Sequence, residues 1–470
     1  MTAMGLRLLV IYDNPVPIHE TRLTILHHLR ALEYSETPHE ITYLNSRDAR
    51  AAMAADGIPA ALAGRDYDGA VLHYSFLSMR NLGLQFYRWK QSFEWIGSMS
   101  CPVIAIPQDE GSYAAVLDEW LCEMGVSSIL SVHYSPEGPL YPIMRKEAEI
   151  IRCLPGYIDE ASAADLSSFA GPICSRKTDI VYRARRLPYF CGSAGQLKSL
   201  VAEVVQKRAE LHQLATDIST RDEDVIHGSD WLGFLASGRA VLGAEGGYSA
   251  IDWHGEVRAQ MHHVLEGDPT LTFEDASTRM PSGWDDYGLL TITPRHFEAA
   301  MARTCQVLVE GEYGGILEAG KHYLPIERDF SNVDEVLEQL KDHQHIQRIA
   351  DRCYEDICQR GKYTYREFAR LIEGALERKP MEKAVRTVSN REQEALERQL
   401  IAERHYRLIL QLEVFDALSD RLRDSLDKLP GKVGQFLWRQ VWRLAKRILY
   451  LVIAASILAG GAFALYYFLK

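Results

Sequence analysis

Short apolar runs alternate with helical patterns over the first 170 residues, and this alternation restricts the fold more than any other feature of the chain. The runs Leu6–Tyr12, Ile41–Leu44, Ala70–Tyr74, Val103–Ile106 and Ser128–Val132 have the length and apolar character of strands. Amphipathic stretches such as Thr21–Leu32 and Ala114–Met124 lie between them. Neighbouring parallel strands need a crossover connection, so the pattern predicts a Rossmann-like parallel sheet. A second alternation starts near Lys177. Strands are predicted at Thr178–Tyr182, Ala240–Gly243, Gln306–Val309 and His322–Ile326, with a helix from Gln196 to His212 and a long helical pattern over Ile346–Leu376. The reading is an α/β protein with two Rossmann-like domains, residues 4–172 and 173–378, facing a cleft. In such sheets ligands gather beyond the carboxyl ends of the strands.

The rest of the chain changes character. Residues 379–430 are rich in Glu, Arg, Gln and Leu, and Ile401, Leu408, Phe415, Leu422 and Leu429 recur every seven residues. This predicts a helical stalk, either a coiled coil that would make a homo-oligomer or one amphipathic helix; Arg404, Gln411 and Ser425 at the partner core positions weaken the first. Residues 431–447 carry Lys432, Arg439, Arg443, Lys446 and Arg447 with Trp438 and Trp442 and no acid. Residues 448–469 contain no charged side chain. As a helix this last run would be ~33 Å long, enough for the ~30 Å hydrocarbon core of a bilayer. Basic residues mark the cytoplasmic side and tryptophans the interface. A single-pass anchor in an inner membrane, with the body on the cytoplasmic side, is expected.

A formal net charge of -12 argues against a nucleic-acid partner, which would require a clustered basic surface on the body. The eight cysteines are scattered singly, without a CxxC pair or a zinc-like His spacing, and are expected to be reduced thiols. No secretory signal is read at the amino terminus, where Leu6–Tyr12 is too short and runs into Asp13, Asn14 and Pro15. No GxGxxG follows the first strand, and Gly192-Ser-Ala-Gly195 lacks the form of a nucleophile elbow. Trp284-Asp-Asp286 is the nearest approach to an acidic metal motif, so metal-independent chemistry without a cofactor is expected.

Glu310-Gly-Glu-Tyr-Gly-Gly-Ile-Leu-Glu318 follows a predicted strand and leads toward a predicted short helix. Two carboxylates so spaced can share one rim of a cleft, the first near a sugar ring and the second on a ribose diol. Each charge-assisted hydrogen bond there would contribute ~1.5–3 kcal/mol. Earlier in the same half, Asp179-Ile-Val-Tyr-Arg-Ala-Arg-Arg-Leu-Pro is followed by Gly192-Ser-Ala-Gly-Gln-Leu-Lys198.

These segments resemble the donor domain of GT-B-fold glycosyltransferases, of the bacterial capsule or lipopolysaccharide type. The likeness covers roughly residues 175–375 and extends to Gly228-Ser-Asp-Trp-Leu-Gly-Phe-Leu, Leu242-Gly-Ala-Glu-Gly-Gly-Tyr-Ser-Ala-Ile-Asp252 and His322-Tyr-Leu-Pro-Ile-Glu. The resemblance implies sugar transfer from a nucleotide sugar. It places the donor on Arg183 or Arg185, with Arg186 as an alternative, on Lys198, and on Glu245, Ser249, Tyr313 and Glu318, with Glu310 at the reacting sugar. After Glu318 the chain departs from the family pattern, because Ala-Gly-Lys-His-Tyr stands where a small-residue helix is usual. In the first half His73-Tyr-Ser75 and Gln108-Asp-Glu110 end strands, and a Gln-Asp-Glu run there is also similar to related enzymes. His73, Asp109 or Glu110 would handle a glycan or lipid-linked acceptor. The competing readings are a non-catalytic membrane scaffold with a glycosyltransferase-like body and a nucleotide-sugar epimerase.

Overall fold

The computed structural model describes residues 5–377, apart from 16–20, 52–58, 60, 61, 63 and 229. The predicted stalk, the basic segment and the apolar run 448–469 lie outside the described residues. Among the described residues no helix is long and apolar enough to cross a membrane.

Among the described residues the first half builds a six-stranded sheet from β1 (Arg7–Tyr12), β2 (Glu40–Asn45), β3 (Gly69–His73), β4 (Val103–Ile106), β5 (Ser128–Ser131) and β6 (Glu149–Arg152). The order is β2-β1-β3-β4-β5-β6 and every pairing is parallel. Alternate residues of β1 enter opposite cores: Leu9 and Ile11 pack on one face, Leu8 and Val10 on the other. A strand covered on both faces reads as a continuous apolar run, which is why β1 was visible in the sequence. β6 was not, because its residues are exposed or half-buried at the sheet edge.

The second half repeats the plan with β7 (Thr178–Arg183), β8 (Thr216–Ser219), β9 (Gly238–Gly243), β12 (Cys305–Val309) and β13 (Tyr323–Ile326), in the parallel order β13-β12-β9-β7-β8. Between β9 and β12 the chain leaves the sheet. β10 (Gly246–Tyr248) and β11 (Leu289–Thr291) form a small antiparallel pair. The excursion between them reaches the first domain, where Ile251 and Leu289 join its core and Trp253 and Tyr287 pack beside them.

Five helices position the cleft. They are α1 (Leu23–Leu29), α2 (Ala114–Glu123), α3 (Gly192–Leu211), α4 (Pro294–Met301) and α5 (Tyr365–Leu376). The first amide groups of a helix have no partner within it. In α2 two of them, on Ala114 and Ala115, donate to the carbonyls of Asp252 and Trp253 at 2.9 and 3.1 Å, so the second half caps a helix of the first. The crossover in the other direction is α5: Phe368, Ile372, Ala375 and Leu376 pack with Leu8, Val10 and Val71.

The long helical pattern over Ile346–Leu376 is interrupted in the structure. A helix over His343–Cys353 runs into a π turn at Tyr354–Gln359, and Gly361, with φ of 67°, ends it before α5 begins. Glycine takes that left-handed conformation without strain. The break lets Ile158 donate to Tyr363 at 2.7 Å and turns the chain back onto the first domain.

Candidate active site

The carboxyl ends of β3, β4 and β7 and the starts of α1 and α4 surround a cavity of about 380 Å³ between the two sheets. Arg22, Thr24, Tyr74 and Gln108 reach it from the first domain, and Arg183, Arg185, Lys198, Trp231, Arg295 and Glu298 from the second. It lies where ligands of open parallel sheets collect.

Lys198 stands in α3 and its backbone carbonyl accepts from the buried Tyr182 hydroxyl at 3.1 Å. Removal from water pushes the Lys198 ammonium down to about 8, the Arg295 charge beside it acts in the same direction, and Asp109 partly opposes them. Arg295 is in the first turn of α4, which Thr293 and Pro294 start. Its guanidinium lies 5.1 Å from the Tyr182 ring centroid and 5.6 Å from that of Trp231, held by ring faces rather than by an acid. Its Nε is buried without a hydrogen-bond partner. Among the described residues no carboxylate pairs with Lys198, Arg295 or Arg22. Uncompensated cations in a cleft are a site for anions, and the neighbourhood already disfavours the charges of Lys198 and Arg22.

The other basic residues of the wall are neutralised. Arg183 donates to the carbonyls of Tyr182, Asp217 and Asp224 and pairs with the Asp217 carboxylate at 2.7 Å, and its guanidinium stacks on Phe234. Arg185 pairs with Asp222 at 3.1 Å on the rim, and Arg186 with Glu203 at 2.7 Å. Of the cations expected from the sequence, Lys198 is the one left unpaired among the described residues. Two acids line the wall: Asp224, which pairs with Arg221, and Glu298, which accepts from Thr24 Oγ1 at 3.0 Å and from Trp231 Nε1 at 2.7 Å, joining the two domains.

The motif Glu310 to Glu318 adopts a different geometry from the expected one. No α-helix follows β12. The segment makes a single tight turn at Tyr313–Gly315, because Tyr313, Gly314 and Gly315 all take positive φ. Glu310 is exposed, and neither it nor Glu318 lines the cavity. Glu318 is also exposed and holds Lys321 at 3.0 Å, which keeps its carboxyl below the usual range. Lys321 and His322 in turn meet Asp356 in the π turn. Glu245 and Tyr313 fix this loop: buried Glu245 accepts from the Tyr313 amide at 2.8 Å, while the Tyr313 hydroxyl donates to the Val309 carbonyl at 2.5 Å. Burial raises the Glu245 carboxyl. A side chain on Gly311 would put its Cβ 2.4 Å from Glu245 Oε2, so the loop requires glycine there.

Ser249 also has a structural part. Its hydroxyl accepts from the Ala194 amide at 2.9 Å and donates to Asp285, whose carboxylate accepts from the Ser193 amide. Together they cap α3. An internal carboxylate therefore occupies the helix start, where a phosphate could otherwise sit. Gly192, with φ of 77°, allows this, since a Cβ there would lie 1.9 Å from the Asp285 oxygen.

On the acceptor side the three expected residues separate. Glu110 is buried and accepts from the amides of Val132 and His133, at 2.7 and 3.2 Å, and from the hydroxyls of Ser131 and Tyr141. Those bonds use its carboxylate to tie β4 to the loop after β5. His73 is buried as well, with Nδ1 on Ser75 and Nε2 unpartnered, and burial drives its pKa well below the ordinary value. Its ring packs among His28 and Tyr74. Asp109 differs from both. It is exposed, its charge is felt by Lys198 and Tyr74, and its backbone has φ of 51°, a conformation non-glycine residues seldom take. Arg80, which the sequence did not single out, holds that backbone: its fully buried guanidinium donates to the carbonyls of Leu77, Gln108, Asp109 and Ser112 at 2.7–3.0 Å.

Arg295 and Arg22 were also missed, although a signal existed. Each is at the start of a helix, Arg22 in the capping position of α1, and a cation there opposes the helix dipole. A charge placed against local electrostatics suggests another use. Among the described residues no cluster of His, Cys, Asp and Glu could hold a metal ion.

Solved structures similar to the chain include GT-B glycosyltransferases. TarM is 10% identical with a TM-score of 0.37; the match covers 68% of this chain and 57% of TarM, so the chain spans little more than half of that protein. An alpha-glucosyltransferase solved with UDP-glucose and DNA is 11% identical with a TM-score of 0.45, over 80% of this chain and all of the other. AviGT4, a glycosyltransferase of avilamycin A biosynthesis, is 12% identical with a TM-score of 0.37, over 79% and 98% of the two chains. No protein-family model and no curated protein sequence matches the chain.

Proposed function

We propose that this protein is a glycosyltransferase that moves a sugar from a nucleotide-sugar donor to a glycan or lipid-linked acceptor. The observation that carries the reading is the cavity between two parallel sheets, with Lys198 and Arg295 in its wall and, among the described residues, no acid paired to either. A diphosphate matches that charge. Fixed cations in a site shielded from water stabilise a departing nucleoside diphosphate without reorganisation. Asp109, whose charge is felt by Lys198 from the other domain, is the acceptor-side residue of this reading. It receives or orients the proton of the acceptor hydroxyl while the acceptor oxygen bonds to the anomeric carbon.

The cations take the part a divalent ion would otherwise have, so transfer is expected to persist in EDTA. The apolar run 448–469 and its basic flank support an inner-membrane anchor with the body on the cytoplasmic side, which would concentrate the enzyme beside a lipid-linked acceptor in cell-surface polysaccharide synthesis.

The test is isothermal titration of the full chain in detergent with UDP-, GDP- and CMP-sugars. One donor should bind, and Lys198→Ala and Arg295→Ala should each weaken it at least about tenfold, the loss of a charge-assisted hydrogen bond. A chain that binds no nucleotide sugar would instead be the non-catalytic scaffold. The diversion of Glu318 onto Lys321 favours that second reading.

A further inference from the structure

Resting on that reading, we infer that Arg22 is a catalytic residue supplied across the cleft, which neutralises the charge the diphosphate acquires as the sugar departs. The cavity wall holds three cations that pair with no carboxylate among the described residues, and they come from both sides: Lys198 and Arg295 from the second domain, Arg22 from the first. They form a row. Arg295 acts electrostatically on Lys198 at one end and on Arg22 at the other, and Arg185 reaches Arg22 from the rim. Arg22 is an exposed residue, yet partial desolvation of its guanidinium and these two arginines hold it below its ordinary value, with Tyr74 and Asp222 opposing them. Arg22 also caps the start of α1 without a side-chain hydrogen bond to it, where a cation is electrostatically disfavoured.

The chemistry supplies a reason for a third cation. The bond between the anomeric carbon and the β-phosphate oxygen breaks, and its electron pair stays on that oxygen. The acceptor oxygen forms the new bond to carbon and loses its proton to the base. The diphosphate therefore leaves with one more negative charge than it had in the donor. Two cations from one domain suit the donor as it binds, and a third, meeting the departing oxygen, is useful only as that charge appears. An interaction of this kind raises kcat and leaves ground-state binding nearly unchanged. It also ties chemistry to the acceptor-side domain being in place.

The experiment compares wild type, Arg22→Gln and Arg22→Lys in the full detergent-solubilised chain. It measures kcat and KM for the donor found above, and the affinities for that donor and for its free nucleoside diphosphate. Circular dichroism melting checks that each variant folds. For Arg22→Gln the expected result is a kcat lower by about a hundredfold, the size of losing one fixed charge-stabilising group. Donor KM and donor affinity should change little, and nucleoside diphosphate affinity should fall about tenfold or more. Arg22→Lys should recover part of kcat. Equal loss of donor and diphosphate affinity, or an unchanged kcat, overturns the inference. Lys198→Ala separates the two levels: if it binds the diphosphate as well as wild type, the donor-site reading itself fails; if it loses binding while Arg22→Gln is silent, only the role of Arg22 fails.

Discussion

Lys198 links one side chain to a measurable pH profile. With its ammonium pushed down to about 8, the free protein carries the charge below that pH and loses it above. The kcat/KM for donor is expected to fall as pH rises through about 8, and Lys198→Arg should move that limb upward, since a guanidinium stays protonated. The same shift has a stability consequence of opposite sense. The unfolded chain holds this proton more tightly, with the ordinary lysine value of 10.5, so below about 8 the buried charge costs stability, and the cost is relieved as pH rises toward 10.5. Asp109 gives a second test at this scale. Asp109→Asn should lower transfer by about 10²–10⁴-fold, the usual contribution of a positioned proton acceptor, while donor affinity is kept. Arg80 acts through it. Arg80→Met removes the four carbonyl contacts that hold the Asp109 backbone, and should lower kcat even in variants that remain folded by circular dichroism.

Elements are held here by groups that belong to other elements. The start of α3 is closed by Asp285 and Ser249 from the excursion between β10 and β11. Asp285→Ala should lower stability in urea unfolding by about 1 kcal/mol, the ordinary value of a lost helix cap, and expose the helix start next to the cavity. An increase in donor affinity of that variant would show that the carboxylate competes with phosphate. Between α4 and α1 the Glu298 carboxylate bridges Trp231 and Thr24. Cutting it in Glu298→Ala removes two charge-assisted bonds of ~1.5–3 kcal/mol each at most, and should weaken acceptor use more than donor binding if α1 loosens.

The two sheets fold as one described body because segments cross between them in both directions. Ile251 and Leu289 enter the first core from the second half, and α5 covers β1 and β3 from the far end of the chain. Phe368 is fully buried there, 4.5 Å from the Tyr157 ring in a stacked pair. Phe368→Ala should cost about 3–5 kcal/mol and lower the melting temperature of the whole body rather than of one domain. What the sequence determined by itself was the plan of the body and one unpaired cation of the cavity wall. Strands covered on both faces are predominantly apolar, and helices between them must be amphipathic, so β1, β3, β4, β7, β9 and β12 were legible one by one, as was Lys198 beyond β7. The structure alone decided which charges remain uncompensated. Arg183, Glu110, His73, Glu245 and Ser249 have the residue types of a site, yet each is spent on partners far away in sequence. Arg22, Arg80 and Arg295 had no motif, and gain their roles from neighbours the fold brings to them. A charge is functional or structural according to what stands beside it, and that is set by long-range packing rather than by local spacing.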